Sequence, residues 1–176
     1  MLEKQAKIAY LGVGSNLGDK RKNIEHVKFK LILNNIKILK SSNLYESLSW
    51  PDKRNPKFIN IMLQIETYKS PKDLLTICNK IENELGRKRF KKNDPRTCDI
   101  DILDFNGQIN AFKYKNLDFI VPHKKLIYRN FVLYPLKEIC TNWIHPETKQ
   151  NIDTLIKNLP EEDRKSILKL ENNWYN

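Results

Sequence analysis

Two carboxylates stand two residues apart in Cys98-Asp99-Ile100-Asp101-Ile102-Leu103, just after the turn Asp94-Pro95-Arg96. The alternation of β-branched and polar residues reads as a strand, and the Asp-Pro pair as the turn that opens it. Strand side chains alternate faces, so Asp99 and Asp101 project together, roughly 6.5–7 Å apart at Cβ. Cys98, Ile100 and Ile102 then line the opposite, apolar face. Two like charges held this close repel, and burying them is costly unless a cation compensates. Hard oxygen donors on one rigid element suit Mg2+. Arg96 at the mouth of the strand, and the upstream run Arg87, Lys88, Arg89, Lys91 and Lys92, supply cations for phosphate oxygens. The plainer alternative is the solvated face of an edge strand. These residues alone leave both readings open.

The elements that must position this pair follow from the rest of the pattern. Lys7 to Gly14 reads as a first strand, running into Ser15-Asn16-Leu17-Gly18-Asp19. Gly12-Val13-Gly14 begins like a dinucleotide fingerprint, but Leu17 stands where the third glycine belongs, and no Gly-Lys-Ser/Thr follows for a P-loop. A Gly-rich turn is the role left, with Asp19 as the N-cap of a helix. That helix runs to about Asn34 with Ile24, Val27 and Leu31 on one face, and His26 has no assigned role. Ile36 to Ser47 alternates as a second strand. Ser49 to Pro56 is a proline-bounded loop in which Trp50 is either a lid over a ligand or an anchor.

Lys57 to Tyr68 reads as a third strand. Ile59, Ile61, Leu63 and Ile65 make one face apolar, while Phe58, Asn60, Met62 and Gln64 mark the other. A ring beside two amides could stack on and hydrogen-bond a flat heterocycle, or form an ordinary half-exposed surface. Ser70-Pro71-Lys72-Asp73 starts a helix, Leu74, Cys78, Ile81 and Leu85 follow at helical spacing, and Gly86 ends it. Cys78 is therefore core, and Glu82 lies on the flank nearest the basic run. Asn106-Gly107 marks a hairpin turn after the carboxylate strand, followed by a return strand and an extended piece through Phe119 to Val121. Pro122 to Leu136 reads as a broken helix that could turn His123, Arg129 and Phe131 to one site. His145-Pro146 reads as surface loop and Ile152 to Leu159 as a last helix, with no pattern in the tail. This order suits an α+β ferredoxin-like sandwich, a mostly antiparallel sheet with helices on one face.

At 176 residues the chain is expected to form a single domain, with 40% hydrophobic and 30% charged residues as in water-soluble proteins. The formal net charge of +11 points to an anionic partner, nucleic acid or polyphosphate. Three cysteines without a Cys-x-x-Cys pair argue against a disulfide framework or a zinc site. No apolar run reaches membrane-spanning length and the N-terminus lacks a signal peptide's apolar core, so a cytoplasmic chain is expected.

Three blocks carry a resemblance to a known family: Gly12 to Gly18; Pro95 to Leu103; and Val121-Pro122-His123 with Arg129 to Leu136. In order and spacing they resemble 6-hydroxymethyl-7,8-dihydropterin pyrophosphokinase, a folate-pathway enzyme, over about residues 7–160, leaving 161–176 as a C-terminal tail. The resemblance implies a ferredoxin-like fold and an ATP-dependent transfer of pyrophosphate to the pterin hydroxymethyl group, with release of AMP. It implies a pair of Mg2+ ions on Asp99 and Asp101. It places Glu82, Arg87, Arg89, Arg96, His123 and Arg129 with ATP, the arginines 87, 89 and 96 as catalytic. Ser47, Leu48, Phe58, Asn60 and Phe131 would form the pterin pocket. Phe58 stands where many members have Tyr, Asp118 where some have Arg, and Asn93-Asp94 where an aromatic often precedes Pro-Arg.

The physics agrees, because attack of an alcohol on a phosphorus needs alignment and charge neutralisation more than a nucleophilic side chain. The partners expected are ATP and the pterin, with no nucleic acid or membrane, and the protein acting as a monomer. The basic run 87–94 is expected to be a mobile lid that ligands order. The rival reading is a ferredoxin-like RNA-binding module using its basic loops. Against it, no aromatic pair marks adjacent central strands, and Asp99 with Asp101 would repel phosphates in the absence of metal.

Overall fold

The computed structural model describes residues 5–49, 52–86 and 94–171. Trp50, Arg87 and Arg89, and with them the expected lid, lie outside the described residues.

The first strand, β1 (Lys7–Ser15), is the hub of the sheet. It pairs antiparallel with β4 (Phe58–Thr67) on one side and β5 (Asp99–Phe105) on the other. Helix α1 (Lys20–Leu33) begins at Asp19, whose carboxylate accepts from Lys22 N, and buries Ile24, Val27 and Leu31. Helix α2 (Pro71–Glu84) starts at Ser70, which caps Asp73 N, and ends before Gly86 at φ +78. Both helices cover the face made by Ile61, Leu63, Ile65, Ile100 and Ile102, and Cys78 and Cys98 are buried in the same core. The sheet order β5-β1-β4-β3 with two helices between strands is the ferredoxin-like arrangement.

The expected second strand, Ile36 to Ser47, is two strands: β2 (Lys37–Ser41) and β3 (Tyr45–Ser47). Both pair with β4, but Ser41 faces Leu63 while Tyr45 faces Asn60, so the edge carries one extra residue there. Ser42 closes the break, its backbone N donating to Met62 O (2.9 Å) and its Oγ accepting from Met62 N (2.9 Å). The Asn106-Gly107 turn forms, with φ of 59 and 64. Its return strand leaves β5 almost at once, and β6 (Asn110–Tyr114) pairs instead with β7 (Leu117–Val121) as a separate ribbon. The turn between them is Lys115-Asn116, both in the left-handed region, where no glycine signalled it.

The expectation of helices on one face is corrected by a second layer. Helix α3 (Asn130–Ile139), preceded by a 3-10 turn at Leu126–Tyr128, and α4 (Ile152–Lys157) pack on the opposite face. There Tyr10, Met62 and Leu103 join Leu133, Leu136, Trp143 and Leu155 in a second core. Phe58, Asn60 and Met62 are therefore buried, and the half-exposed alternative for their face falls away. His145 is also buried, at 5% exposure, against the Trp143 ring rather than on a surface loop. Two further elements follow Leu159: α5 (Glu161–Lys165) and β8 (Leu168–Lys169), which pairs with β3.

Candidate active site

β5 is the edge strand of the sheet, yet its two carboxylates do not simply face solvent. In the β1–β5 ladder Asp99 lies opposite Gly14 and Asp101 opposite Gly12. With no side chains from those glycines, the carboxylate row borders an open cleft of about 630 Å³. A methyl group on Gly14 would come within 3.1 Å of Asn60 Oδ1 and 3.3 Å of a Phe58 ring carbon, so glycine keeps this space open. The register shifts between Tyr10 and Leu11, which lets both Leu103 and Asp104 reach the second core. Asp104 is buried there, its carboxylate accepting from Trp143 Nε1 (2.7 Å) and Gly107 N (3.0 Å). Burial holds its carboxyl above the usual range, against the pull of those two donors.

Each carboxylate of the pair meets an arginine. Arg96 Nη2 donates to Asp99 Oδ2 at 2.6 Å, and Arg129 Nη1 to Asp101 Oδ2 at 3.0 Å. Both guanidiniums also sit over rings, Arg96 at 5.2 Å from the Phe58 centroid and Arg129 at 5.5 Å from that of Phe131. The result is a formally neutral quartet at the rim of an aromatic cleft. Arg96 is set from behind by Asn16, which is 2% exposed. Asn16 Oδ1 accepts from Arg96 N (2.8 Å), Asn16 N donates to Arg96 O (3.1 Å), and Asn16 Nδ2 donates to Pro56 O (3.0 Å). The Gly12–Gly18 block is thus a floor and a clamp, a role the sequence reading gave only to a turn.

Inside the cleft, Phe58, Asn60, Ser47, Leu48 and Phe131 come together as expected. Asn60 Nδ2 donates to Ser47 Oγ (2.9 Å) and Tyr45 O (3.3 Å), which sets its amide and turns Oδ1 toward Gly14. A flat ring could enter between Phe58 and Phe131 and find an acceptor at its edge.

Asp99 and Asp101 also border a second, larger cleft on the far side of β5, with about 1110 Å³ of open space. Its walls are Asn79, Glu82 and Asn83 of α2 and Tyr114, Lys115 and Phe119 of the β6–β7 ribbon. Glu82 lies here, 3% exposed, with Oε1 accepting from Ile100 N at 2.8 Å, so it anchors the carboxylate strand as well as lining the cleft. His123 lies off both clefts but within the field of Asp101, Asp99 and Arg129. Burial pushes its pKa down against the opposing pull of Asp101 and Asp99, and its Nδ1 accepts from Lys125 N at 3.1 Å.

The profile of the 7,8-dihydro-6-hydroxymethylpterin-pyrophosphokinase (HPPK) family matches residues 10–141. The chain belongs to the HPPK family. It is 40% identical over 137 residues to 2-amino-4-hydroxy-6-hydroxymethyldihydropteridine pyrophosphokinase of Aquifex aeolicus, covering 78% of this chain and 82% of that protein. The Bacillus subtilis protein of the same name is 37% identical, covering 76% of this chain and 78% of its own length. A folic acid synthesis protein of Dictyostelium discoideum is 39% identical over 87% of this chain, which spans only 22% of that longer relative. The fold matches that of Plasmodium falciparum HPPK-DHPS with a TM-score of 0.69 at 16% identity, covering 86% of this chain and 40% of that one. The sheet face opposite α1 and α2 is the one an RNA-binding sheet would need to leave open. Here α3 and α4 cover it.

Among the described residues no cluster of three or more metal-binding side chains occurs. The donor set that does occur, two hard carboxylates on one strand face, fits Mg2+ sharing its coordination with phosphate oxygens and water. Likewise, no helix among the described residues is long and apolar enough to cross a membrane.

Proposed function

We propose that this chain transfers pyrophosphate from ATP to the hydroxymethyl group of 6-hydroxymethyl-7,8-dihydropterin, releasing AMP, in folate biosynthesis. The observation that carries the reading is that Asp99 and Asp101 border two clefts at once. One cleft suits a flat heterocycle, and the other opens past Glu82 to room for a nucleotide. The alcohol oxygen attacks the β-phosphorus of ATP, a new O–P bond forms, and the bond to the α,β-bridging oxygen breaks, so AMP leaves.

In this reading Phe58 and Phe131 sandwich the pterin, Asn60 Oδ1 accepts from its amide edge, and Ser47 and Leu48 close the wall. Asp99 and Asp101 would hold the Mg2+ pair that accompanies ATP. A cation held by these carboxylates would neutralise phosphate oxygens and lower the pKa of the attacking alcohol. Arg96 and Arg129 exchange their carboxylates for phosphate oxygens as ATP arrives, an exchange that keeps every charge paired. We assign His123, which lies within the field of the carboxylate pair, to the phosphates together with Arg87 and Arg89, which lie outside the described residues. We place the chain in the cytoplasm, a setting that keeps its three cysteines out of disulfides.

The test is to incubate the protein with ATP, Mg2+ and the pterin and to identify both products. AMP and a pterin diphosphate in equal amounts are expected. Release of ADP or inorganic phosphate instead, or consumption of ATP without the pterin, contradicts the reading.

A further inference from the structure

The two walls of the aromatic cleft come from separate parts of the chain. One is β3 with Ser47; the other is the start of α3, with Arg129 and Phe131. Between those two residues sits Asn130, 8% exposed, which has no place in the cleft itself. Its Nδ2 donates to Asp163 O at 2.6 Å and to Ser166 Oγ at 3.0 Å, and Ser166 Oγ donates back to Asp163 O at 3.0 Å. A few residues on, the same C-terminal segment reaches the other wall. Lys169 pairs with Tyr45, Leu168 with Glu46, and Leu170 N donates to Leu44 O at 2.8 Å. Residues 161–171 thus bridge the two walls, one end on α3 and the other on β3.

We infer that this segment is a strap that sets the width of the pterin cleft, and that Asn130 is a positioning residue that acts through it. The inference rests on the proposed function. A buried side-chain amide spending both hydrogens on a distant segment is costly to leave unmet, so the contact is strongly specified. Losing it frees the backbone on which both Arg129 and Phe131 stand, whereas the walls of the other cleft are built from α2 and the ribbon. The strap therefore bears mainly on the pterin, through Phe131, and on ATP only through Arg129. Linkage makes the effect reciprocal: pterin binding must tighten the strap by as much as the strap tightens pterin binding.

The experiment pairs titration with hydrogen exchange on the full chain. Asn130→Ala is expected to weaken pterin binding by about tenfold, the scale of one buried hydrogen bond. ATP–Mg2+ binding without pterin should weaken much less, since of the groups assigned to ATP only Arg129 stands on the freed backbone. Ser166→Ala, a milder loss in the same triangle, should shift pterin binding in the same direction with the melting temperature little moved. In the wild-type protein, pterin should slow exchange of the amides at 168–170. Pterin affinity unchanged in both variants, or exchange at 168–170 indifferent to pterin, overturns the strap. Equal weakening of ATP and pterin would assign Asn130 to general stability and overturn it too. A wild-type protein that binds no pterin instead sinks the reading of the cleft, which separates the two failures.

Discussion

Asn60 concentrates the logic of the site in one side chain. Its amide nitrogen is committed to Ser47 and Tyr45, so the oxygen is fixed on the cleft side before any ligand arrives. An acceptor held in place costs nothing to orient on binding. Asn60→Ala should therefore weaken pterin binding by about 1–3 kcal/mol, the cost of a lost buried partner. ATP binding in the absence of pterin should be unaltered, and paired titrations check both. At this scale the sequence was readable wherever function follows from strand alternation, as for Asp99, Asp101, Phe58 and Asn60. Asn16 was not readable, because it acts on the backbone of Arg96, 80 residues away in the chain. Nothing local announces such a contact.

The elements repeat the pattern. Helices α1 and α2 were legible from their caps and from apolar residues at helical spacing, since both signals are local. The break between β2 and β3, the Lys115-Asn116 turn and the second helical layer were not. The face of Phe58, Asn60, Met62 and Gln64 is mixed enough to pass for half-exposed; Met62 lies in the second core, Phe58 and Asn60 are buried at the cleft, and Gln64 is half-buried. His145 was misplaced for the same reason. It locks the turn into α4, its Nδ1 accepting from Glu147 N and Thr148 N, both at 3.2 Å. Burial lowers its pKa, as it does that of His123. The sign follows from proton counting. Below about pH 6.5 the unfolded chain binds protons that the folded chain resists, so unfolding takes up protons and stability falls with acidity. His145→Asn keeps a comparable acceptor without the titration. Its stability, measured by denaturant melts from pH 7 to 5, should fall less steeply than that of the wild type, by up to about 1.4 kcal/mol per pH unit. Parallel curves would remove His145 from the acid sensitivity.

For the whole molecule, the fold delivers two clefts that meet at one strand. The ferredoxin-like order places β5 at the sheet edge next to the hub strand, where glycines opposite Asp99 and Asp101 leave room. The second layer then closes the aromatic cleft, and α2 with the ribbon walls the other. A net charge of +11 favours a polyanionic partner, and the site directs it to the paired carboxylates, where only a metal-bound polyphosphate would be welcome. The central claim is that Asp99 and Asp101 hold that metal between the clefts. The most direct measurement is the initial rate of AMP release against Mg2+ concentration, for the wild type, Asp99→Ala and Asp101→Ala, with circular dichroism to confirm that each is folded. Each variant is expected to stay folded and to lose nearly all turnover, with no recovery at high Mg2+. A folded variant that turns over at close to the wild-type rate with the same Mg2+ dependence would contradict the account.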